Sequence, residues 1–498
     1  RRAGVEPPAR ILFSEHHEAH AASAFLPSPF ENAAIVTLDG VGEWTTTSIW
    51  NGRGHRIEPL EEIHFPHSLG LLYSAFTYFC GFRVNSGEYK LMGLAPYGEP
   101  VYADRIREHL IDLRSDGSFR LNMEHFGYLG GLTMTNDRFA ELFDGPARSM
   151  EGELTRRELD LASSVQVVTE EAVLGIARHA RNLTGHRHLC LAGGVALNCV
   201  ANGELMRSGL FDDIWIQPAS GDAGGALGAA LFAWHQLEDK PRQPLDTAAD
   251  HMQGAYLGPA FSDDEIAHWL DSIGAPYQRL DDGELEREAA RLVADQNVVG
   301  LFQGRMEFGP RALGNRSIIG DARSPKMQSV LNLKIKYRES FRPFAPSVLE
   351  ERIGDYFEID RPSPYMLLVA QVRRERCIDP EATEKDITVL EQVNQVRSDI
   401  PAITHVDHSA RIQSVSAATN PRYHGVIKAF EELTGCGVVI NTSFNVRGEP
   451  IVCTPEDAYR CFMGTEMDHL VMGNLVLAKT EQPAWDDAAG WHKQFDLD

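Results

Sequence analysis

The sequence has no apolar run approaching the ~18–20 residues of a membrane-spanning helix, and its opening, RRAGVEPPARILF, lacks the apolar core of a secretory signal. Basic residues are in deficit: 47 Lys and Arg stand against 71 Asp and Glu, a formal net charge of −24. That deficit works against docking on nucleic acid or an anionic membrane, because phosphate contacts must come from surplus cations. Cysteines are few and odd in number, seven in 498 residues with no CxxC pair. Neither a disulfide framework nor a zinc ribbon fits that count, whereas a reducing cytoplasm does. Internal repeats and low-complexity tracts are also missing. What remains, 43% hydrophobic and 24% charged residues, is ordinary globular composition with length for about two to four domains.

The stretch QLEDKPRQPLDTAADHMQ, residues 236–253, is polar, carries two prolines and shows no sustained apolar period. It marks a boundary between a first domain at 1–240 and a second at 254–498. Ahead of it, ARILFS predicts a strand running into the helix EHHEAHAASAF, capped by Ser14. Strands follow at 33–40, 45–50 and 56–65, the last two joined by an NGRG turn. Leu161, Val165, Val168, Ala172 and Ile176 recur at helical spacing and predict one long helix over 157–183. HLCLAGG and DIWIQPASGD read as strands that each end in a glycine-rich turn. Beyond the boundary, helices are predicted at 263–273 and 283–295. NVVGLFQG and CGVVINTSFN read as buried strands with polar groups at their carboxyl ends, where open α/β sheets place their sites. The fold class is therefore α/β in both domains. The charged region 360–400 carries no clear pattern.

Residues 304–317, GRMEFGPRALGNRS, set three arginines and an acid among glycines. With Lys336, Arg342, Arg411 and NTSFN at 441–445 they form a candidate anion pocket. Guanidinium groups bind phosphate through paired planar hydrogen bonds, and glycines admit the backbone's own N–H donors. A solvated charged loop is the alternative, but it would not need Phe308, Pro310 and Leu313.

In the first domain, His16 and His20 lie four apart on one helical face, and Asp39 and Asp222 each end a predicted strand. Two imidazoles and two carboxylates suit a divalent ion such as iron, with manganese or zinc also compatible; polar surface is the alternative for the histidines alone. The glycine turns LAGGVALN and SGDAGGALGAA offer helix N-terminal amides to a nucleotide, although tight helix–sheet packing uses the same glycines. Lys90, two residues after Glu88 in SGEYKLMGLAPYG, is a candidate phosphate bridge or an exposed lysine in a turn. The aromatic stretch at 64–82 lines an acceptor cleft or, for Leu71, Phe76 and Phe79, the core.

HHEAHAASAF, LDGVGE, SGEYKLMGLAPYG, LAGGVALNC, SGDAGGALGAA, GRMEFGPRALGNRS, KYRESFRPFAPSVL and NTSFNVRGEPIV run in this order from about residue 14 to about residue 475. Through these blocks the chain resembles the O-carbamoyltransferases of the NodU/CmcH family. The resemblance implies a first domain of actin-like ATPase type (ASKHA, threonylcarbamoyl transferase-like) and a second that is similar to YrdC/TsaC. It also implies two steps: carbamoyl adenylate is made from carbamoyl phosphate and ATP, and the carbamoyl group then passes to a hydroxyl of a small-molecule natural product, in antibiotic biosynthesis for instance.

Carried over residue by residue, the donor contacts fall on Arg311, Lys336, Arg342, Arg411, Asn441 and Ser443, with Arg338 and Asn445 as neighbours. Metal ligands fall on His16, His20, Asp39 and Asp222, with iron the expected ion. Lys90, Gly193, Gly194 and Asn198, with Gly221 in the turn before Asp222, fall on the nucleotide part of the first domain. The implied setting is cytoplasmic, without nucleic acid or membrane partners, and compatible with a homodimer.

Family members open with a strand and hairpin carrying an HD-type motif, whose histidine serves the acceptor hydroxyl as base. This sequence begins beyond that point, so the expectation is a fragment whose base lies upstream. A hydrogenase-maturation transferase would carry CxxC zinc pairs, and a tRNA-modifying enzyme would want a basic face. A sugar kinase would leave the second domain unexplained. A non-catalytic binding homologue would have lost members of the arginine set.

Overall fold

The computed structural model describes residues 11–150, 152–243, 250–338, 341–378, 392, 393, 395–485 and 495. Two sheets organise them. The first is built from β1 (Asn32–Gly42), β2 (Thr45–Arg53) and β3 (Arg56–His64), an antiparallel meander, continued on the other side of β1 by β6 (His188–Ala192) and β7 (Asp213–Ile216) in parallel. Its order is β3-β2-β1-β6-β7, and β4 (Ile111–Leu113) with β5 (Phe119–Leu121) forms a separate ribbon. β1 is buried along most of its length, as a central strand covered on both faces must be.

The second sheet has nine strands: β8 (Gln278–Arg279), β9 (Val299–Phe302), β10 (Arg316–Asp321), β11 (Ala345–Leu349), β12 (Leu368–Gln371), β13 (Ser409–Val415), β14 (Val438–Ser443), β15 (His469–Met472) and β16 (Leu475–Ala478). Their order is β12-β13-β11-β14-β10-β9-β15-β16-β8. β14 is central and sets Asn441 opposite Ile319 of β10 and Ala345 of β11.

Helices α1 (His16–Phe25), α2 (Leu69–Phe79), α3 (Glu88–Leu94), α4 (Arg156–Thr184), α5 (Cys199–Arg207) and α6 (Ala223–Phe232) accompany the first sheet; α7 (Asp282–Ala294) and α8 (Pro421–Thr434) accompany the second. The long helix predicted over 157–183 is α4, one residue longer at each end, with Thr155 and Glu158 forming its capping box. The predicted strand ARILFS does not form: among its described residues, 11–14 have no regular structure, and Ile11 and Phe13 are exposed. Nor does Ser14 cap α1. Glu15 does, exchanging bonds with Glu18 in a capping box. In α2, Phe76 and Phe79 are buried and Leu71 partly so, which favours the core reading of that stretch.

Small residues let elements approach closely at two places. A side chain at Gly228 of α6 would put its Cβ 1.8 Å from the Ala19 carbonyl oxygen of α1, and one at Gly203 of α5 would come 2.3 Å from the Val369 oxygen of β12. Around the second contact, Asn202 Nδ2 donates to Leu367 O at 3.1 Å and Arg207 Nη1 to Val369 O at 2.9 Å, so α5 is stitched to the edge of the second sheet. Among the described residues no helix is long and apolar enough to cross a membrane.

Candidate active site

The histidines of HHEAH divide their work by helical phase. His17 points at the sheet, where its Nδ1 meets Thr37 Oγ1 at 2.5 Å and Ser48 Oγ at 2.9 Å; burial brings its pKa down to about 3. His16 and His20, one turn apart, face the other way. The β1–β2 register is interrupted between Leu38 and Gly42, an irregularity of the kind that re-aims a side chain, and Asp39 lies inside it. His16 Nε2 stands 2.9 Å from Asp39 Oδ2 and 3.4 Å from Asp222 Oδ1. His20 Nε2 stands 3.4 and 3.7 Å from the same two oxygens.

One ligand atom from each of the four residues fits within 4.8 Å of the others. His20 is 1% exposed, and neither of its ring nitrogens makes a hydrogen bond. Burial would raise the Asp39 pKa, but the hydrogen bond from His16 and the close approach of His20 outweigh it and hold the carboxyl well below the usual carboxylate range. The His16 pKa is raised by that hydrogen bond, ahead of the burial that opposes it.

The glycine turns close around this cluster. Gly193 has φ +90, and a Cβ there would fall 2.1 Å from Leu38 O. The Gly194 N–H donates to Asp39 Oδ1 at 3.1 Å, and the Gly193 N–H to Ser220 O at 2.7 Å. Gly221 leads into Asp222, the N-cap of α6, whose side chain is largely exposed. Asn198 differs from the glycines. Its amide caps α5 by accepting from the Ala201 N–H at 3.1 Å and exchanges two 3.1 Å bonds with Gln166, so its oxygen and one N–H are engaged in structure.

A second site is a cavity of about 570 Å³ walled by both halves of the chain. Lys90 and Tyr89 of α3 and Cys199 of α5 line it together with Arg311, Lys336, Arg338, Arg342, Arg411, Asn441, Ser443, Asn445 and Arg447. Lys90 thus stands with the arginine set and not with Gly193 and Gly194. Seven Lys and Arg side chains line the cavity against two acids, Asp407 and Glu449.

Of the three arginines in 304–317, only Arg311 lines it, stacked over Tyr89 with Nε and Nη2 buried and without hydrogen bonds. Arg316 is fully buried and donates to the carbonyls of Gln303 (2.7 Å), Asn315 (2.9 Å) and Pro259 (3.2 Å), over the ring of Phe302. Arg305 is exposed. Glu307 explains the arrangement: its buried Oε1 accepts the N–H groups of Leu313 (2.7 Å), Asn315 (2.8 Å) and Arg316 (3.3 Å), folding the loop around a carboxylate and turning Arg311 out of it.

Lys336 is nearly inaccessible. Its Nζ donates to Ser443 O, to Ser443 Oγ at 3.2 Å, and to Asn445 O and Oδ1 at 2.8 Å each. Burial, reinforced by Arg338, brings its pKa down to about 7, and burial beside Arg311 brings Arg411 down to about 10. Asn441 donates to Ala312 O and Gln413 Oε1 at 3.1 and 2.7 Å, and its own Oδ1 is buried without a partner. Arg338 donates to Asn332 Oδ1 at 2.8 Å. Tyr89, Asp407, Arg447 and Glu449 were not picked out in the sequence. Tyr89 and Arg447 sit inside SGEYK and NVRGEP, so adjacency to the conspicuous residues was the available signal, whereas Asp407 had none.

A family model described as Carbamoyltransferase N-terminus matches residues 6–231, and one described as Carbamoyltransferase C-terminus matches residues 290–479. Uncharacterized protein sll1178 of Synechocystis is 61% identical over 99% of this chain and 80% of its own length. Nodulation protein NolNO of Sinorhizobium fredii is 39% identical over 95% of this chain; the chain spans 64% of that protein. Nodulation protein NolO of Bradyrhizobium diazoefficiens is 39% identical over 93% of this chain and 78% of its own. A crystal structure of HypF from T. kodakarensis shares 16% identity at a TM-score of 0.21, covering 45% of this chain and 37% of its own, too slight a likeness to bear on the fold.

Proposed function

The chain belongs to the carbamoyltransferase family, and from that premise we propose that it is an ATP-dependent O-carbamoyltransferase acting through carbamoyl adenylate. The observation that carries this reading is the cavity in which Lys90, Arg311, Lys336, Arg342 and Arg411 converge. Two anionic substrates repel each other unless cations hold both, and fixed guanidinium groups offset charge that grows as the phosphoryl bonds change. In balance, water converts carbamoyl phosphate to carbamate and phosphate. The carbamate oxygen then attacks the α-phosphorus of ATP and pyrophosphate leaves. Finally an acceptor hydroxyl attacks the carbamoyl carbon of the adenylate, AMP leaves, and the hydroxyl proton passes to a base.

Delivery is assigned to the four-residue cluster. The unpartnered ring nitrogens of buried His20, with Asp39 and Asp222 converging on the same point, fit a divalent cation held by His16, His20, Asp39 and Asp222. Iron is the expected ion, with manganese and zinc fitting the same donors. When bound, such an ion supplies Lewis acidity toward the adenylate. The Gly194 N–H fixes the Asp39 carboxylate, and Gly193, whose lack of a side chain lets the turn pack on Leu38, is assigned with it to the nucleotide. Residues 1–240 are assigned an actin-like ASKHA fold and residues 254–498 a YrdC-like fold. The acceptor is a hydroxylated small-molecule natural product, an antibiotic in the first instance, modified in the cytoplasm.

Supplied with carbamoyl phosphate, ATP and ferrous ion, the protein is expected to release pyrophosphate and to add the mass of one carbamoyl group to an acceptor from a panel of hydroxylated natural products. Formation of ADP in place of pyrophosphate and AMP would contradict the proposal.

A further inference from the structure

The two acids in the cationic cavity are held differently. Glu449 is turned into its own loop, with Oε2 accepting the Val446 N–H at 2.8 Å. Asp407, just ahead of β13, is pinned by one oxygen only: Oδ1 accepts from the Ser409 N–H at 3.1 Å and the Ser409 hydroxyl at 2.7 Å, and His405 Nδ1 stands 3.5 Å away. Among the described residues Oδ2 makes no hydrogen bond, and no lysine or arginine pairs with the group, although Arg411 lines the same cavity. The side chain keeps 42% of its surface open. Burial would raise its pKa, but His405 and the Ser409 donors outweigh that and lower it, so the group is an anion.

A carboxylate placed to neutralise the cage would pair with one of its cations. Held by His405 and Ser409 at Oδ1 alone, it opposes the anions the cavity gathers, and a hydrogen-bond donor on the ligand facing Oδ2 offsets that cost. Carbamoyl phosphate offers phosphate and carbonyl oxygens, which accept, and one NH2, which donates. We propose that Asp407 accepts a hydrogen bond from the carbamoyl NH2 and thereby selects a carbamoyl group over an acyl group of the same shape without N–H. This specificity role rests on the carbamoyl-adenylate reading above. A site built to bond a donor rejects the isostere that lacks it, because its acceptor is then left unpaired. Acetyl phosphate is that isostere, with a methyl in place of the NH2.

Calorimetric titration of the full chain with carbamoyl phosphate and with acetyl phosphate tests the assignment. The unsubstituted protein is expected to prefer carbamoyl phosphate by about tenfold or more. Asp407→Ala should bring the two affinities within about threefold, mainly by weakening carbamoyl phosphate. Asp407→Asn gives a second reading: the Ser409 donors hold the amide oxygen, the amide NH2 faces the ligand's NH2, and the preference falls likewise. A preference unchanged in both variants, or equal weakening of both ligands, overturns the assignment. So does an intact preference with weakened ATP binding alone, which would give Asp407 to the adenine or ribose. A protein that releases pyrophosphate but binds both acyl phosphates equally overturns the role of Asp407 and spares the reading beneath it. One that neither binds carbamoyl phosphate nor releases pyrophosphate overturns both.

Discussion

The guanidinium carbon of Arg311 lies 4.6 Å from the centre of the Tyr89 ring, so the one arginine of the 304–317 loop that reaches the cavity is braced by a side chain from the other half of the chain. Tyr89→Leu removes that brace and leaves the charge. A cation–π contact of about 1 kcal/mol corresponds to roughly a fivefold rise in KM for ATP or carbamoyl phosphate, read from pyrophosphate release. Arg311→Ala should abolish the release. A fall in kcat with unchanged KM in Tyr89→Leu would mean that the ring does more than hold the arginine.

His20 offers a cleaner separation of the two steps, because it belongs to the cluster with Asp39 and Asp222 and does not line the cationic cavity. His20→Ala is expected to lose uptake of a stoichiometric divalent ion, measured by elemental analysis, and to stop carbamoyl transfer. Pyrophosphate release should continue. Equal loss of pyrophosphate release and transfer would argue against two separate sites.

Lys336 predicts a pH signature. With its pKa near 7 in the free cavity, the amine is largely neutral at pH 8, whereas a bound phosphate favours the charged form. Pyrophosphate binding at pH 8 should therefore draw in up to about one proton more than in Lys336→Met, and the affinity should fall as pH rises above 7. Titrations in two buffers of different ionisation enthalpy give the proton count; no difference between the two proteins would remove Lys336 from the account. In folding the sign is set by the unfolded lysine, which keeps its proton up to the ordinary value of 10.5. Between about 7 and that value the unfolded chain holds more protons, so this residue's contribution to stability increases with pH.

Asn198 is expected to matter for stability and not for the nucleotide. Asn198→Ala removes the α5 cap and both of its bonds to Gln166, whose amide keeps Glu170 and the Tyr73 hydroxyl as partners, at a cost of about 1–2 kcal/mol in denaturant unfolding. KM for ATP should stay within about twofold, since the side chain is buried and its oxygen and one N–H are already engaged by α5 and Gln166. A large rise in KM with unchanged stability would return Asn198 to the binding site.

What was legible in the sequence was whatever obeys a local period. The apolar positions from Leu161 to Ile176 announced α4 within a residue at each end, and the four-residue spacing of His16 and His20 placed both on one face. Asp39 and Asp222 could be named because each stands beside glycine at the end of an apolar run, although the structure keeps Asp39 buried inside β1. Burial of individual charges could not be read in this way. Arg311 and Arg316 look alike in GRMEFGPRALGNRS, and it is the buried Glu307 carboxylate gathering Leu313, Asn315 and Arg316 that turns one outward and the other inward. The start of α1 failed for a smaller reason, since Glu15 with a reciprocal Glu18 outcompetes Ser14 as the cap. Asp407 escaped notice because its meaning comes from side chains brought together by tertiary packing alone.

Since Tyr89, Lys90 and Cys199 share the wall of the cavity with Arg311, Lys336 and Arg411, the binding basin is not the property of either stretch of polypeptide. A gene cut between codons 240 and 254 would yield two products, each with half a wall. Co-expression, not purification of the pieces apart, would be the route to restoring affinity for polyphosphates.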